Sequence, residues 1–281
     1  MIVVRSIQEM QEWSDKQRMA GETVAVVPTM GFLHEGHLSL IDTARANGAT
    51  KIILTNFVNP TQFGPNEDFD AYPRDLERDM DLCRQKNVDA VFAPEASEMY
   101  PADSSTWVTE EKLSKGLCGK SRPIHFRGVA SVVTKLFNAT MPHLAVFGQK
   151  DAQQVAVLKR MVRDLNVPVK IIVSPIIRED DGLAKSSRNK YLSAEQRVQA
   201  LSLSKAIFAI ADAVKNGSRE TAPLLEQAKQ SVTAAGGRVD YFESVDAETL
   251  EPVTVVERPV LFAAAVFYGT TRLIDNIVVN P

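Results

Sequence analysis

Cysteine is scarce. Only Cys83 and Cys118 carry a thiol among 281 residues, and they form no CxxC pair. That excludes a disulfide framework and fits a reducing compartment. Histidine occurs four times, at His34, His37, His125 and His143, so a three-histidine metal site has little to draw on. No apolar run approaches the ~20 residues of a membrane span. The opening Met1-Ile2-Val3-Val4-Arg5 lacks the basic-then-apolar pattern of a secretory signal. A cytoplasmic location with no membrane partner is expected. Excess positive charge is also missing. A net charge of -3 argues against nucleic acid as the main partner, though it leaves room for a local basic patch. Internal repeats and low-complexity segments are absent.

What is present is the make-up of a soluble globular protein, 44% hydrophobic and 24% charged. The length allows one large domain or two ordinary ones. The stretch Val-Val-Pro-Thr-Met-Gly-Phe-Leu-His-Glu-Gly-His-Leu, residues 26–38, organises the rest. An apolar run leads into a turn marked by Pro28 and Gly31. A helical pattern then places Leu38, Ile41 and Ala44 on one face. His34 and His37 fall where that helix begins. Free N–H groups and the positive end of the dipole attract phosphate there. Two imidazoles three residues apart share a face and can donate to phosphoryl oxygens. An HxxH pair is also a common way to cap a helix, and zinc binding through HExxH needs a four-residue spacing that this pair lacks.

The pattern predicts a helix over 6–20 with Ser6 and Glu9 in capping-box spacing, a strand over 23–27 and a helix over 36–46. A buried strand follows over 51–58, then a long polar loop over 59–68, long enough to be functional. Pro73 suits the first position of a helix running to Lys86. Further strands are expected over 88–93, 144–147 and 169–173, with helices over 129–139 and from 152 to about 164. Residues 95–125 read as irregular, and the basic segment 120–128 as a solvated loop or an anion site. This alternation implies a doubly wound parallel sheet with right-handed crossovers. Its ligands bind beyond the carboxyl ends of the strands. After Ile177 the texture changes. A polar loop over 178–189 precedes a helix over 193–215, a helix over 220–234, and strands over 239–245, 252–256, 260–267 and 273–278. The expected organisation is a nucleotide-binding, Rossmann-like domain over 1–177 and a smaller α+β domain over 178–281.

Three polar clusters stand out: the His34/His37 pair, Gly148-Gln149-Lys150-Asp151, and Lys185-Ser186-Ser187-Arg188. Two cations flanking two hydroxyls suit a triphosphate, although any one such run is more often a solvated loop. Together with PTMGFLHEGHLSL (28–40), FVNPTQFGPNED (57–68), AYPR (71–74), HFRGV (125–129), VFGQKDAQQ (146–154) and DGLAKSSRN (181–189), they carry a resemblance over essentially the whole chain. It is to the pantoate–β-alanine ligases, adenylate-forming members of the HIGH-motif nucleotidyltransferase superfamily.

The resemblance implies ATP-dependent condensation of (R)-pantoate with β-alanine through a pantoyl adenylate. It implies ATP contacts at Met30, Gly31, Phe32, Leu33, His34, Glu35, Gly36, His37, Gly148, Gln149, Lys150, Asp151, Ile177, Lys185, Ser186, Ser187 and Arg188. His34, His37 and Lys150 are the implied catalytic residues. Gln62 and Gln154 are expected to grip pantoate, with Gln62 also bordering the β-alanine path. Asp79 is offered as a Mg²⁺ contact, against the competing reading of a helix-surface carboxylate, and Arg122 and His125 as further site candidates. Small-molecule substrates and a homodimer are the implied partners. Two departures are visible: family members commonly have glutamate where Gln149 stands and methionine where Lys185 stands. Competing readings are a plain nucleotidyltransferase, an RNA-binding synthetase-like module, and a catalytically silent nucleotide-binding protein.

Overall fold

The computed structural model describes residues 1–65 and 67–281; Asn66, within the expected 59–68 loop, lies outside the described residues. The chain forms two compact units. The first comprises Met1–Glu111, Arg122–Gly148 and Val157–Pro175, and the second Lys112–Ser121, Gln149–Ala156 and Ile176–Pro281.

The first unit is built on six strands: β1 (Ile2–Val4), β2 (Val24–Thr29), β3 (Lys51–Asn56), β4 (Ala90–Phe92), β5 (Leu144–Gly148) and β6 (Lys170–Ser174). They lie in the order β1-β4-β3-β2-β5-β6, and every pairing is parallel. Each crossover carries a helix, so the central strands are covered and their apolar residues fully buried, as at Val24, Val26, Ile52 and Leu54. This is the doubly wound sheet expected from the alternation. Its strand order reverses between β2 and β5, where open α/β sheets bind ligands.

The sheet parts at that point. β2 pairs with β3 from Val24 to Thr29 but with β5 only at Ala25 and Val26. Pro28 lacks the N–H that a central strand needs to continue its ladder. Thr29 and Thr55 supply substitute bonds on the β3 side. The Thr29 N–H donates to Thr55 Oγ1 at 3.1 Å, and Thr29 Oγ1 donates to the Thr55 carbonyl at 2.6 Å.

The second unit holds an antiparallel sheet of β7 (Arg238–Asp246), β8 (Val260–Tyr268) and β9 (Thr271–Val279) in that order. Helices Leu201–Lys215 and Thr221–Ala234 pack their apolar stripes, including Leu203, Ile207, Ile210 and Val232, with Phe242, Phe262 and Tyr268 of the sheet. It is the smaller α+β unit that the change of texture predicted.

Several local expectations are corrected: the stretch 95–125 holds the short helices Ala96–Met99 and Cys118–Ser121 instead of being irregular throughout, and the helix expected over 193–215 is divided at Ala200. The strand Ile2–Val4 adds to the expected elements, since three residues carry no period that a sequence pattern could show. The helix expected at 129 begins at His125, so part of the basic segment is helical. The helix expected from Pro73 begins at Leu76, because Asp75 provides its cap by accepting the Arg78 N–H at 3.1 Å. The stretch 252–256 makes isolated bridges only, Val245 with Pro252 and Glu220 with Val255.

Candidate active site

In the first unit the turn after β2 is built around a strained backbone. Gly31 has φ +80° and Phe32, despite its side chain, φ +50°. A Cβ on Gly31 would fall 2.5 Å from Asn56 Oδ1 and would displace the amide that bonds Asp79, on top of the strain of a positive φ, so glycine is favoured. Asp79 holds the strained turn. Its oxygens accept the N–H groups of Phe32 and Leu33 at 2.7 Å each, and the Asn56 amide donates to it at 2.9 Å.

The helix Glu35–Ala46 then starts with a capping box made of histidines. His34 is the N-cap, and its Nδ1 accepts the Gly36 N–H at 3.1 Å. His37 Nδ1 accepts the His34 N–H at 3.3 Å. A backbone N–H is a donor only, so both Nδ1 atoms are acceptors. In the neutral rings the proton therefore sits on Nε2. The rings lie 4.0 Å apart between centroids. The capping and phosphate-donating readings of the pair are compatible, because the cap uses Nδ1 and puts the ring proton on Nε2.

Gln62 ends a short 3-10 turn, Pro60–Gln62, and is buried. Its Nε2 donates to Met30 Sδ at 3.1 Å, and its Oε1 accepts from Asn59 Nδ2 at 3.1 Å. Among the described residues, these bonds leave one N–H and one lone pair of the amide. Arg122 and His125 meet Gln62 through its backbone. Its carbonyl accepts from His125 Nδ1 at 3.0 Å, and His125 Nε2 accepts from Arg122 at 3.1 Å. Arg122 also forms a forked ion pair with Glu67. Gly128 permits this approach, since a Cβ there would lie 2.5 Å from the Thr61 carbonyl oxygen. The residues Arg122 and His125 thus clamp the turn that carries Gln62.

Asp79 is not a helix-surface carboxylate, being only 1% exposed. It does not fit a magnesium ligand either. Three N–H donors converge on its oxygens, and a cation would face those same donors. No group of three or more His, Cys, Asp or Glu among the described residues is arranged to hold a metal. The neighbouring Cys83 thiol is pushed up to about 12, first by burial and then by the Asp79 charge, so it is inert.

In the second unit, Gln149–Asp151 forms a 3-10 turn. Asn276 holds it: its Nδ2 donates to the carbonyls of Gln149 and Lys150 at 3.0 and 2.9 Å, and its Oδ1 accepts from Gln149 Nε2 at 3.0 Å. Of the adjacent glutamines, Gln153 is structural. It accepts the Cys118 N–H at 2.9 Å and donates to the carbonyls of Leu113 and Gly116. Gln154 is half-buried one position on. Residues 177–185 form a tight antiparallel turn, with the Lys185 N–H donating to the Ile177 carbonyl at 2.9 Å. Lys185 pairs with Glu179 at 3.1 Å. Ser186 caps the 3-10 turn Ser187–Tyr191 by accepting the Arg188 N–H at 3.3 Å. Asn276, Asp275 and Arg178 escaped the sequence reading, although Asp275-Asn276 interrupting an apolar strand was a visible signal.

The family model described as pantoate-beta-alanine ligase matches residues 2–278. The chain belongs to that family. The pantothenate synthetase of Thermotoga petrophila is 52% identical over 281 residues, covering both chains fully. Among solved structures, the pantothenate synthetase of Thermus thermophilus shares 41% identity with full coverage of both chains and a TM-score of 0.94. The Francisella tularensis pantoate-beta-alanine ligase, solved with beta-gamma ATP and beta-alanine, shares 32% identity over 99% of this chain and 97% of that one, with a TM-score of 0.83. Membership in the pantoate–β-alanine ligase family makes this chain an ATP-dependent ligase. It sets aside the plain nucleotidyltransferase and RNA-binding readings.

Proposed function

We propose that the chain condenses (R)-pantoate with β-alanine in two steps, each centred on the residues described above. In the first, a pantoate carboxylate oxygen attacks the α-phosphorus of ATP and the bond to the β-phosphate oxygen breaks, releasing pyrophosphate. In the second, the neutral β-alanine amine attacks the carbonyl carbon of pantoyl adenylate, the bond from that carbon to the phosphate oxygen breaks, AMP leaves, and the amine's surplus proton passes to the leaving phosphate or solvent. Negative charge builds on phosphoryl oxygens during the first step, so catalysis is positioning and electrostatic stabilisation.

The observation that carries this reading is the histidine capping box in a chain of this family. With both Nδ1 atoms accepting backbone N–H groups, His34 and His37 present Nε2–H donors at a helix start. His37 is the main donor to the reacting phosphate. Lys150 stabilises charge on the α-phosphate, and Lys185, Ser186, Ser187 and Arg188 hold the β- and γ-phosphates. Met30, Gly31, Phe32, Leu33, Glu35, Gly36, Gly148, Gln149, Asp151 and Ile177 complete the nucleotide contacts. Because Asp79 occupies the Phe32 and Leu33 N–H groups, those two residues contribute shape, not amide donors. Gln62 and Gln154 bind pantoate without adding charge beside the nucleophilic carboxylate. Magnesium accompanies the triphosphate, which with water supplies most of its ligands. The protein works in the cytoplasm as a homodimer; no helix among its described residues is long and apolar enough to cross a membrane.

The test is ATP–pyrophosphate exchange without β-alanine. Exchange that requires pantoate is the expected result. Exchange that proceeds without pantoate, or fails with it, overturns the reading.

A further inference from the structure

β9 carries two consecutive buried polar side chains, Asp275 at 2% exposure and Asn276 at 3%. In a strand, successive side chains point to opposite faces, so the two serve different neighbours. The strand beside them makes room: Asp275 pairs with Ala264 and Asn276 with Ala263 across the β8–β9 ladder. Asn276 spends its amide on the Gln149–Asp151 turn, binding the carbonyls of Gln149 and Lys150 and the Gln149 side chain. Asp275 accepts both ends of the Arg178 guanidinium at 2.7 and 2.9 Å and the Asn276 N–H at 2.8 Å. Arg178 also donates to the Gly182 carbonyl at 3.1 Å and stacks on Phe208 at 4.7 Å. That ties down the turn whose far side is Lys185. A buried ion pair of this kind adds little to stability over an apolar replacement. What it supplies is one fixed geometry.

We propose that Asp275 and Asn276 are a positioning pair that holds the Lys150 turn and the Lys185 turn in a single arrangement for the triphosphate. Every residue in the argument belongs to the second unit. The proposal rests on the reading that Lys150 binds the nucleotide. Asn276 acts through the backbone of Lys150, keeping the ammonium stem from sampling other directions. Asp275 acts through Arg178 on the backbone that leads to Lys185. Neither touches the reacting atoms.

The experiment is a double-mutant cycle of Asn276→Ala and Lys150→Ala on the full chain. It is read by calorimetric affinity for ATP with magnesium, which stays measurable when turnover is lost. Asn276→Ala weakens ATP binding about fivefold or more in the wild-type background. In the Lys150→Ala background the same change weakens it less than twofold, because the group it positions is gone. A merely structural asparagine gives the same factor in both backgrounds, and that result overturns the proposal. So does unchanged affinity in Asn276→Ala while Lys150→Ala is weak. If Lys150→Ala itself binds ATP as the wild type does, the reading of Lys150 fails and takes the proposal with it, a distinct outcome. Should Asn276→Ala not fold, Asn276→Leu, of similar volume, uncharged and with no N–H to donate, carries the same cycle.

Discussion

Asp79 binds the backbone of Phe32 across 47 residues of sequence, accepting its N–H at 2.7 Å. A second oxygen does the same for Leu33. Asp79→Ala leaves two backbone donors and the Asn56 amide without their acceptor. Orphaned buried donors cost ~1–3 kcal/mol each, so with three of them the urea midpoint falls by an amount equivalent to about 3–9 kcal/mol. The magnesium concentration that half-saturates residual exchange activity in Asp79→Asn stays at the wild-type value. A several-fold rise would restore Asp79 as a metal ligand.

His37→Ala removes one preorganised donor, a loss of typically ~10²–10³ in rate. Single-turnover pyrophosphate release slows by that factor. His37 Nδ1 is also one of two bonds in the cap, so the thermal midpoint drops slightly. A rate within threefold of wild type would remove His37 from the chemistry.

The adjacent glutamines separate cleanly. Gln154→Ala weakens pantoate binding by ~1–3 kcal/mol and ATP binding by less, because a substrate oxygen loses its partner. Gln153→Ala instead destabilises the fold, since it strands the Cys118 N–H and two carbonyls. Equal losses for both ligands in Gln154→Ala would contradict its role.

Lys185 is paired with Glu179 at 3.1 Å. On the proposed role, Lys185→Met removes a cation from the triphosphate, and it also leaves the Glu179 carboxylate without this partner. The KM for ATP rises several-fold at low salt, on the scale of ~1 kcal/mol for a partly exposed pair, with kcat nearly unchanged. Salt shrinks the effect. Adding Glu179→Gln restores much of the affinity. A flat KM at low ionic strength would place Lys185 outside the nucleotide site.

His143 gives a pH signature unrelated to catalysis. Its Nδ1 accepts the Val24 N–H at 3.0 Å, and burial, then Arg18, holds its pKa below the ordinary value. The depressed folded value means the unfolded chain binds the proton more readily. The stability is present above pH ~6.5 and is lost as pH falls towards the folded value. Chemical denaturation from pH 7.5 to 5 shows this decline, and His143→Gln, which still accepts the N–H, flattens it. An unaltered slope in His143→Gln would assign the decline to other groups.

Much of the fold was legible because its signals are local. The run ending at Val27, the Pro28/Gly31 turn and the 3.6-period pattern after Gly36 each need only a short window, and they yield β2, its turn and the helix Glu35–Ala46. The capping box at Ser193 and Gln196 is present as read, but its helix is divided at Ala200. What escaped has partners far away in sequence. β1 is too short to show a period and pairs with residues 90–92. The residue types proposed for the site can be read from the sequence, but the supports of those residues cannot. The acceptor for Phe32, the clamp of Arg122 and His125 on the Gln62 carbonyl, and the hold of Asn276 on Lys150 all depend on tertiary pairing that spacing alone does not encode.

The span from Gln149 to Asn276 is 127 residues. A ribosome adding ~5–20 residues per second takes about 6–25 s to cross it. Throughout that interval the growing chain has already made the turn after β5, yet the carbonyls of Gln149 and Lys150 must rely on water. All six strands of the parallel sheet are synthesised before β9, so the grip on Lys150 is the later event. If Lys150 holds the nucleotide as proposed, that competence waits for the last strand of the chain to be made.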